Sequence, residues 1–139
     1  MNKYYGKALA SMGDQVIEGE AIVTSTPITL LGFVNPKEGI ITQEGHDLNG
    51  LSITNKIFVF PKGIGSTVGP YTLINLMKNG KGPMAIINRE SDQGTVSGCS
   101  VARIPMGYGY DDDPTKFIKS GDNLRLTLSH GKSIIEILS

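Results

Sequence analysis

Residues 56–69 read KIFVFPKGIGSTVG, and this stretch decides the fold. Lys56 is followed by four apolar residues with no polar interruption, which is typical of a strand buried on both faces of a sheet. The apolar run stops at Pro61 and passes into a glycine-rich turn. We therefore expect a buried strand that leads directly into a turn of exposed backbone amides.

The residues that follow this turn predict a helix and then a second strand. Pro70 suits a first helical turn, and an apolar face follows at helical spacing. Asn79-Gly80 supplies a helix stop, and residues 84–87, MAII, resume as a strand. Two strands joined through a helix should lie parallel if they share a sheet.

The flanking sequence adds more strands and a short second helix. We predict strands at residues 4–9, 16–23, 40–42 and 104–106, a turn at 35–39, and a helix of small residues at 95–102. Residues 124–138 alternate around the turn sequence SHGK, which predicts a terminal hairpin with one buried face. Together these elements predict one α/β domain over residues 1–139, of layered β/β/α architecture.

Composition narrows the classes of function. Thirteen Lys and Arg residues balance thirteen Asp and Glu residues, and this balance argues against broad electrostatic binding to nucleic acid or membranes. The single cysteine, Cys99, excludes an intrachain disulfide and a self-contained iron–sulfur cluster. The N-terminus lacks a signal-peptide apolar stretch, and no run approaches the ~20 apolar residues of a transmembrane helix. We expect a cytoplasmic protein.

Ser66 is the best candidate for chemistry. A glycine-rich turn between a buried strand and a helix presents backbone N–H groups near the positive helix end, where they hold a carboxylate or phosphate. Such donors, with a nearby cation, would lower the cost of using a serine hydroxyl as a general base. From the local pattern alone, the commoner role of Ser66 or Thr67 is to cap the helix. Lys62 precedes the turn, so the pattern is not the phosphate-binding loop of nucleotide hydrolases.

Two histidines and an acidic run favour structural roles. His46 and Asp47 are neighbours in a polar turn, and sequence neighbours on a turn usually diverge in space. His130 fits the hairpin turn. Residues 111–113, DDD, lack the spacing and glycine of a metal-binding loop, so we expect a solvated loop there.

Of three other residues, Cys99 has one interpretation, and the two arginines have two each. Cys99, between Gly98 and Ser100, is most simply a small packed residue. Arg89 and Arg103 flank the predicted second helix, and each either binds an anionic substrate or makes a surface ion pair. The sequence does not decide between these roles.

Three segments carry a resemblance to a known family. Residues 31–39 (LGFVNPKEG), 45–50 (GHDLNG) and 57–69 (IFVFPKGIGSTVG) resemble the small subunit of aconitase X enzymes. Residues 79–80, 83, 85–87 and 104–105 also match. The resemblance extends over almost the whole chain, and the segments are specific together although each alone is weak.

The resemblance implies a fold, a partner and a reaction. It implies the swivelling β/β/α domain that corresponds to the mobile last domain of aconitase. A larger subunit would hold a [4Fe-4S] cluster and most substrate contacts, and its iron would act as Lewis acid on the departing hydroxyl of a hydroxy acid. The family's proton-abstracting serine aligns with Ser66, and Gly65 and Thr67 would supply N–H groups to the base or to a substrate oxygen. This agreement makes the catalytic role of Ser66 the favoured one.

The resemblance leaves two substrates open. Residues 65–69 and 31–39 are similar to archaeal-type two-subunit enzymes, which implies dehydration of (R)-5-phosphomevalonate to trans-anhydromevalonate 5-phosphate in the mevalonate pathway of isoprenoid biosynthesis. Asn35 and Pro70 stand where that family more often has an acidic and a small polar residue. Dehydration of cis-3-hydroxy-L-proline, as in bacterial relatives, is the alternative.

Two hypotheses come from other classes of function. One is a non-catalytic binding or regulatory module, because fold alone does not establish function. The other is a stand-alone phosphate-binding protein built on the glycine-rich turn. An isolated chain of the second kind would bind anions by itself, whereas half of a shared active site would not.

Overall fold

The computed structural model describes residues 3–9, 13–27, 34–63 and 69–138. The strands are β1 (Lys3–Ala8), β2 (Gln15–Val23), β3 (Val34–Asn35), β4 (Ile40–Ile41), β5 (Ile57–Phe60), β6 (Ala85–Asn88), β7 (Met106–Tyr108), β8 (Asn123–Ser129) and β9 (Lys132–Ile137). The helices are α1 (Gly69–Lys78), α2 (Gln93–Ala102) and α3 (Pro114–Phe117). The predicted strand, helix and following strand of the central unit are confirmed as β5, α1 and β6.

Seven of the described strands close into a barrel in the order β1, β7, β6, β5, β2, β8, β9. The four strands β2, β5, β6 and β7 run parallel to one another, as predicted for β5 and β6. The other pairs of the barrel are antiparallel, and β9 closes it by pairing with β1. The structure is thus the mixed α/β fold that was predicted, with a sheet that closes on itself.

Strand β5 is buried on both faces, as its continuous apolar sequence predicts. Ile57 and Val59 point into the barrel, where they join leucines of β8 in one core cluster. Phe58 and Phe60 point outwards into a second cluster, which includes Leu73 of α1. Because side chains alternate between the two faces of a strand, this one strand links the barrel interior to the layer of helices.

The predicted end of α1 and the predicted hairpin turn are both formed by residues with positive φ. Helix α1 ends at Lys78, and Gly80 follows with φ of 69°, the left-handed conformation that commonly terminates helices. The terminal hairpin turns at His130 and Gly131, with φ of 51° and 75°. These values fit the two-residue turn that matches strand twist, and the structural role of His130 is confirmed.

The sequence prediction was wrong at the start of β7. Residues 104–106 were expected to form a strand, whereas β7 begins at Met106. Arg103 takes the left-handed conformation, with φ of 59°, and ends α2. The Ile104 N–H then donates to the Cys99 carbonyl at 2.9 Å, so Ile104 closes the helix instead of opening the strand.

Two short elements were not predicted. Strand β3 pairs with β4 beside the turn at 36–39. Helix α3 begins after Asp113, whose carboxylate accepts from the Thr115 N–H at 3.0 Å, with Pro114 in its first turn. The sequence also predicts that a loop region starts at residues 30–33, and these lie outside the described residues. None of the helices within the described ranges has the length and apolar character to cross a bilayer.

Candidate functional site

The carboxyl ends of the four parallel strands meet at one edge of the barrel. Backbone hydrogen bonds join the segments that leave this edge. The N–H groups of Arg89 and Glu90 donate to the Pro61 carbonyl at 3.1 and 3.3 Å, and the Gly109 N–H donates to the Arg89 carbonyl at 3.0 Å. In α/β sheets, ligands bind outside the carboxyl ends of the strands, so this edge is the candidate site.

The glycine-rich turn starts at this edge. Pro61 and Gly63 follow β5 directly, and Gly69 begins α1. The three predicted site residues between them, Gly65, Ser66 and Thr67, lie outside the described residues. Their roles therefore stay predictions, whereas the two ends of their segment are described.

Asp92 connects the start of the turn to helix α2. One carboxylate oxygen of Asp92 accepts from the Gly63 N–H at 2.8 Å, and the other accepts from the Thr95 N–H at 3.0 Å. Asp92 is thus the N-cap of α2 and an anchor for the turn at the same time. Sequence reasoning missed this residue, although Asp two residues before a run of small helical residues is a helix-start signal.

Two side-chain oxygens are buried beside this anchor. Asn88 is fully buried, and its amide nitrogen donates to the Phe60 carbonyl at 3.1 Å. The Asn88 Oδ1 and the Thr95 Oγ1 have no hydrogen-bond partner among the described residues. Buried polar atoms normally have hydrogen-bond partners. Two buried acceptors without one therefore make this edge of the barrel unusually polar.

Charged side chains surround the edge in compensated pairs. Lys62 and Arg89 share the Glu90 carboxylate at 3.4 and 3.7 Å, and Arg89 also lies 3.9 Å from Asp113. Both cations are about half exposed, and such pairs contribute little to stability. For Arg89 the structure thus shows the surface ion pair, one of its two predicted roles. Arg103 instead ends α2 through its backbone.

His46 and Asp47 do not diverge as expected. The His46 Nδ1 lies 3.1 Å from Asp47 Oδ1 and accepts from the Leu48 N–H at 3.0 Å. The Thr24 hydroxyl donates to Asp47 Oδ1 at 2.7 Å, and this hydrogen bond keeps the carboxylate close to the histidine ring. The turn prediction for this segment is right, but the expected separation is wrong because Thr24 ties Asp47 to the carboxyl end of β2.

The acidic run at 111–113 is divided between separate backbone contacts. Asp111 Oδ1 accepts from the N–H groups of Asp112 and Tyr5, while Asp113 caps α3. Across the described ranges, no group of three or more His, Cys, Asp or Glu side chains could hold a metal ion. The carboxylates of Asp111 and Asp113 thus accept from backbone N–H groups, as in an ordinary loop.

Cys99 is a packed core residue, as predicted. It is fully buried in the cluster beneath the two helices. Burial raises the pKa of its thiol well above the usual range, and the nearby Asp92 carboxylate adds to the increase. The thiolate form is therefore excluded from the folded protein at neutral pH.

We expect folded Cys99 to resist alkylation. At pH 8, iodoacetamide should modify Cys99 at least about a hundred-fold more slowly in the native chain than in urea, because only the thiolate reacts. The raised pKa also means that stability falls as pH rises above the ordinary thiol value, since the unfolded chain then loses the proton. Mass spectrometry of timed samples measures the modification. Equal rates in both states would contradict the packed position.

Comparison with known proteins identifies relatives of the whole chain. The model of the aconitase X swivel domain matches residues 7–137. The phosphomevalonate dehydratase small subunit of Pyrococcus horikoshii is 43% identical over 137 residues, 99% of this chain and 96% of that protein. The subunit of the same name from Methanosarcina mazei is 42% identical over 121 residues, covering 87% of this chain and 83% of that protein.

Solved structures give the same assignment. The crystal structure of Thermococcus kodakaraensis aconitase X in its holo-form matches with a TM-score of 0.89 and 38% identity over the full length of both chains. A solution NMR structure of a UPF0107 protein matches with a TM-score of 0.83 and 34% identity, over 99% of this chain and all of that one. The chain therefore belongs to the aconitase X swivel domain family.

Proposed function

We propose that this chain is the small subunit of a hydro-lyase that dehydrates (R)-5-phosphomevalonate to trans-anhydromevalonate 5-phosphate. One observation carries the proposal: nearly the whole chain is 43% identical to a phosphomevalonate dehydratase small subunit. At this identity and coverage, the surfaces that bind substrate and partner are expected to be shared as well as the core. The complex would work in the cytoplasm.

Ser66 is the proposed proton acceptor of this reaction. Held as or near an alkoxide, Ser66 would take a proton from the carbon next to the one that loses hydroxide and become a neutral hydroxyl, while the N–H groups of Gly65 and Thr67 would hold an oxygen of the substrate. Two described features support this role. The segment begins at the carboxyl edge of the parallel strands, and α1 begins at Gly69 with the positive end of its dipole towards that segment.

The proposed [4Fe-4S] cluster belongs to the partner subunit. This chain does not fit a cluster, because its one cysteine, Cys99, is fully buried beneath the helices and carries a proton. A [4Fe-4S] cluster is normally held by four Cys thiolates, and this chain has a single cysteine. The contribution of this chain is therefore the proton acceptor and substrate contacts, and a large aconitase X subunit would supply the metal ligands.

Turnover by the reconstituted complex tests the proposal. We expect the chain, co-expressed with a large aconitase X subunit and purified without oxygen, to dehydrate phosphomevalonate and not cis-3-hydroxyproline. The change in substrate and product is followed by mass spectrometry. The large subunit alone and the small subunit alone serve as controls, and each should be inactive because each would hold only part of the site.

The other hypotheses predict different results. Turnover of cis-3-hydroxyproline alone would assign the alternative substrate. No association with a large subunit would favour a binding module on the same fold. Inorganic phosphate bound by the isolated chain, with no activity in the complex, would favour the stand-alone phosphate-binding protein.

A further inference from the structure

We propose that Asp92 is a positioning residue for Ser66, acting through Gly63 at the start of the glycine-rich turn. This inference rests on the proposed function, because it assigns Asp92 a role in the reaction that Ser66 would perform. The argument starts from one carboxylate that serves two segments. Its oxygens accept separately from Gly63 and from Thr95, at 2.8 and 3.0 Å.

The contact between Asp92 and Gly63 leaves no free space. A Cβ atom added at Gly63 would lie 2.7 Å from the Thr95 hydroxyl and 3.0 Å from a carboxylate oxygen of Asp92. Gly63 is also buried. The start of the turn is therefore held against the N-terminus of α2 both by a hydrogen bond to a charged group, a strong kind, and by close packing.

This anchor is close to Ser66 along the chain. Gly63 precedes Ser66 by three residues, and three residues span at most about 11 Å. The segment after β5 is also held at Pro61, because the Pro61 carbonyl accepts from two consecutive N–H groups after β6. Catalysis is sensitive to small displacements: an error of about 1 Å can cost 10²-fold in rate. Loss of the hydrogen bond from Gly63 to Asp92 would free the segment that leads from β5 to Ser66.

A helix cap alone would not explain the arrangement. Capping α2 needs only one acceptor oxygen, and Ser caps helices about as well as Asp. The second oxygen of Asp92 is bonded outside its own helix, to a residue that precedes it by 29 positions. Asp92→Ser would keep the cap, but the shorter serine side chain would not reach both N–H groups.

This difference separates positioning from stability. In the two-subunit complex, we expect Asp92→Ser and Asp92→Ala to lower kcat for phosphomevalonate alike, by about ten- to a hundred-fold, because both release the segment that carries the proton acceptor. Only Asp92→Ala should also lose the cap and show the lower Tm of the two. Gly63→Ala, which leaves the carboxylate in place, should reduce kcat in the same way.

Thr54 provides a matched control at the opposite edge of the barrel. Its hydroxyl donates to the Lys81 carbonyl at 2.9 Å, and this bond also joins segments far apart in sequence. Thr54→Val removes such a tie near the amino ends of β5 and β6, so kcat should equal that of wild type. Amide hydrogen exchange in the free chain should be faster at Gly63 in Asp92→Ser and unchanged there in Thr54→Val.

The outcomes separate this inference from the proposed function. If wild type dehydrates phosphomevalonate and Asp92→Ser keeps its kcat, the positioning role is overturned and the proposed function stands. Unchanged exchange at Gly63 in Asp92→Ser overturns the anchor itself. If the wild-type complex has no dehydratase activity, the proposed function fails first, and the exchange data still report whether Asp92 holds the turn.

Discussion

We expect Ser66→Ala to lower kcat for dehydration in the two-subunit complex by about 10²–10⁴-fold, the range that a general base contributes. The substitution removes the proposed proton acceptor and leaves the backbone donors of Gly65 and Thr67 in place. Substrate should still bind, so KM should change little. Anaerobic steady-state kinetics measures both constants, and gel filtration checks that the complex remains intact.

Thr67→Ala is the informative comparison for this result. It removes a hydroxyl from the adjacent residue of the same turn but retains the N–H group that is proposed to contact the substrate. We expect kcat of Thr67→Ala to fall by less than about ten-fold, because the proposed contact with the substrate is made by the backbone. An intact complex of Ser66→Ala with wild-type kcat would refute the serine base. Equal losses in both variants would indicate a structural role for the turn.

The local elements of the fold could be predicted because their signals are local. The continuous apolar sequence of β5, the glycine stop of α1 at Gly80 and the alternation in β8 each lie within a few residues. Closure of the barrel could not be predicted in this way. It depends on the pairing of Tyr4 with Ile135, and no local pattern encodes the register of strands so far apart in the chain.

The same distinction applies to the candidate site. The strand before the glycine-rich turn and the helix after it could be predicted because their signals follow one another directly, while the role of Ser66 between them stays a prediction. The anchor by Asp92 was missed because its second partner, Gly63, comes from a different segment. The approach of Asp47 to His46 was missed for a similar reason: Thr24, at the end of β2, determines where that carboxylate points. Tertiary contacts, which sequence periodicity does not report, supply these details.

The second large effect is expected at Phe58, in the core that joins the barrel to its helices. Phe58 is fully buried, its ring centre lies 4.6 Å from that of Phe60, and its cluster includes Leu73 and Leu76 of α1. Phe58→Ala would remove a large side chain from a closely packed region and leave a cavity. Such changes cost about 3–5 kcal/mol, a large part of the roughly 5–15 kcal/mol that stabilises a typical protein.

Unfolding of the isolated chain in urea, followed by circular dichroism, measures this loss. In thermal unfolding it should correspond to a decrease in Tm of about 10–20 °C for a chain of this length. Val16→Ala is the matched control: Val16 is also an apolar strand residue, but 63% of its surface is exposed, so we expect a change within about 0.5 kcal/mol. Because Phe58 packs in the cluster that holds α1, and Gly69 at the start of α1 bounds the turn, the complex of Phe58→Ala should also lose activity at temperatures below the Tm of wild type. If Phe58→Ala lowered the free energy of unfolding by less than about 1 kcal/mol, the cluster around Phe58 would not be what holds the helices to the barrel.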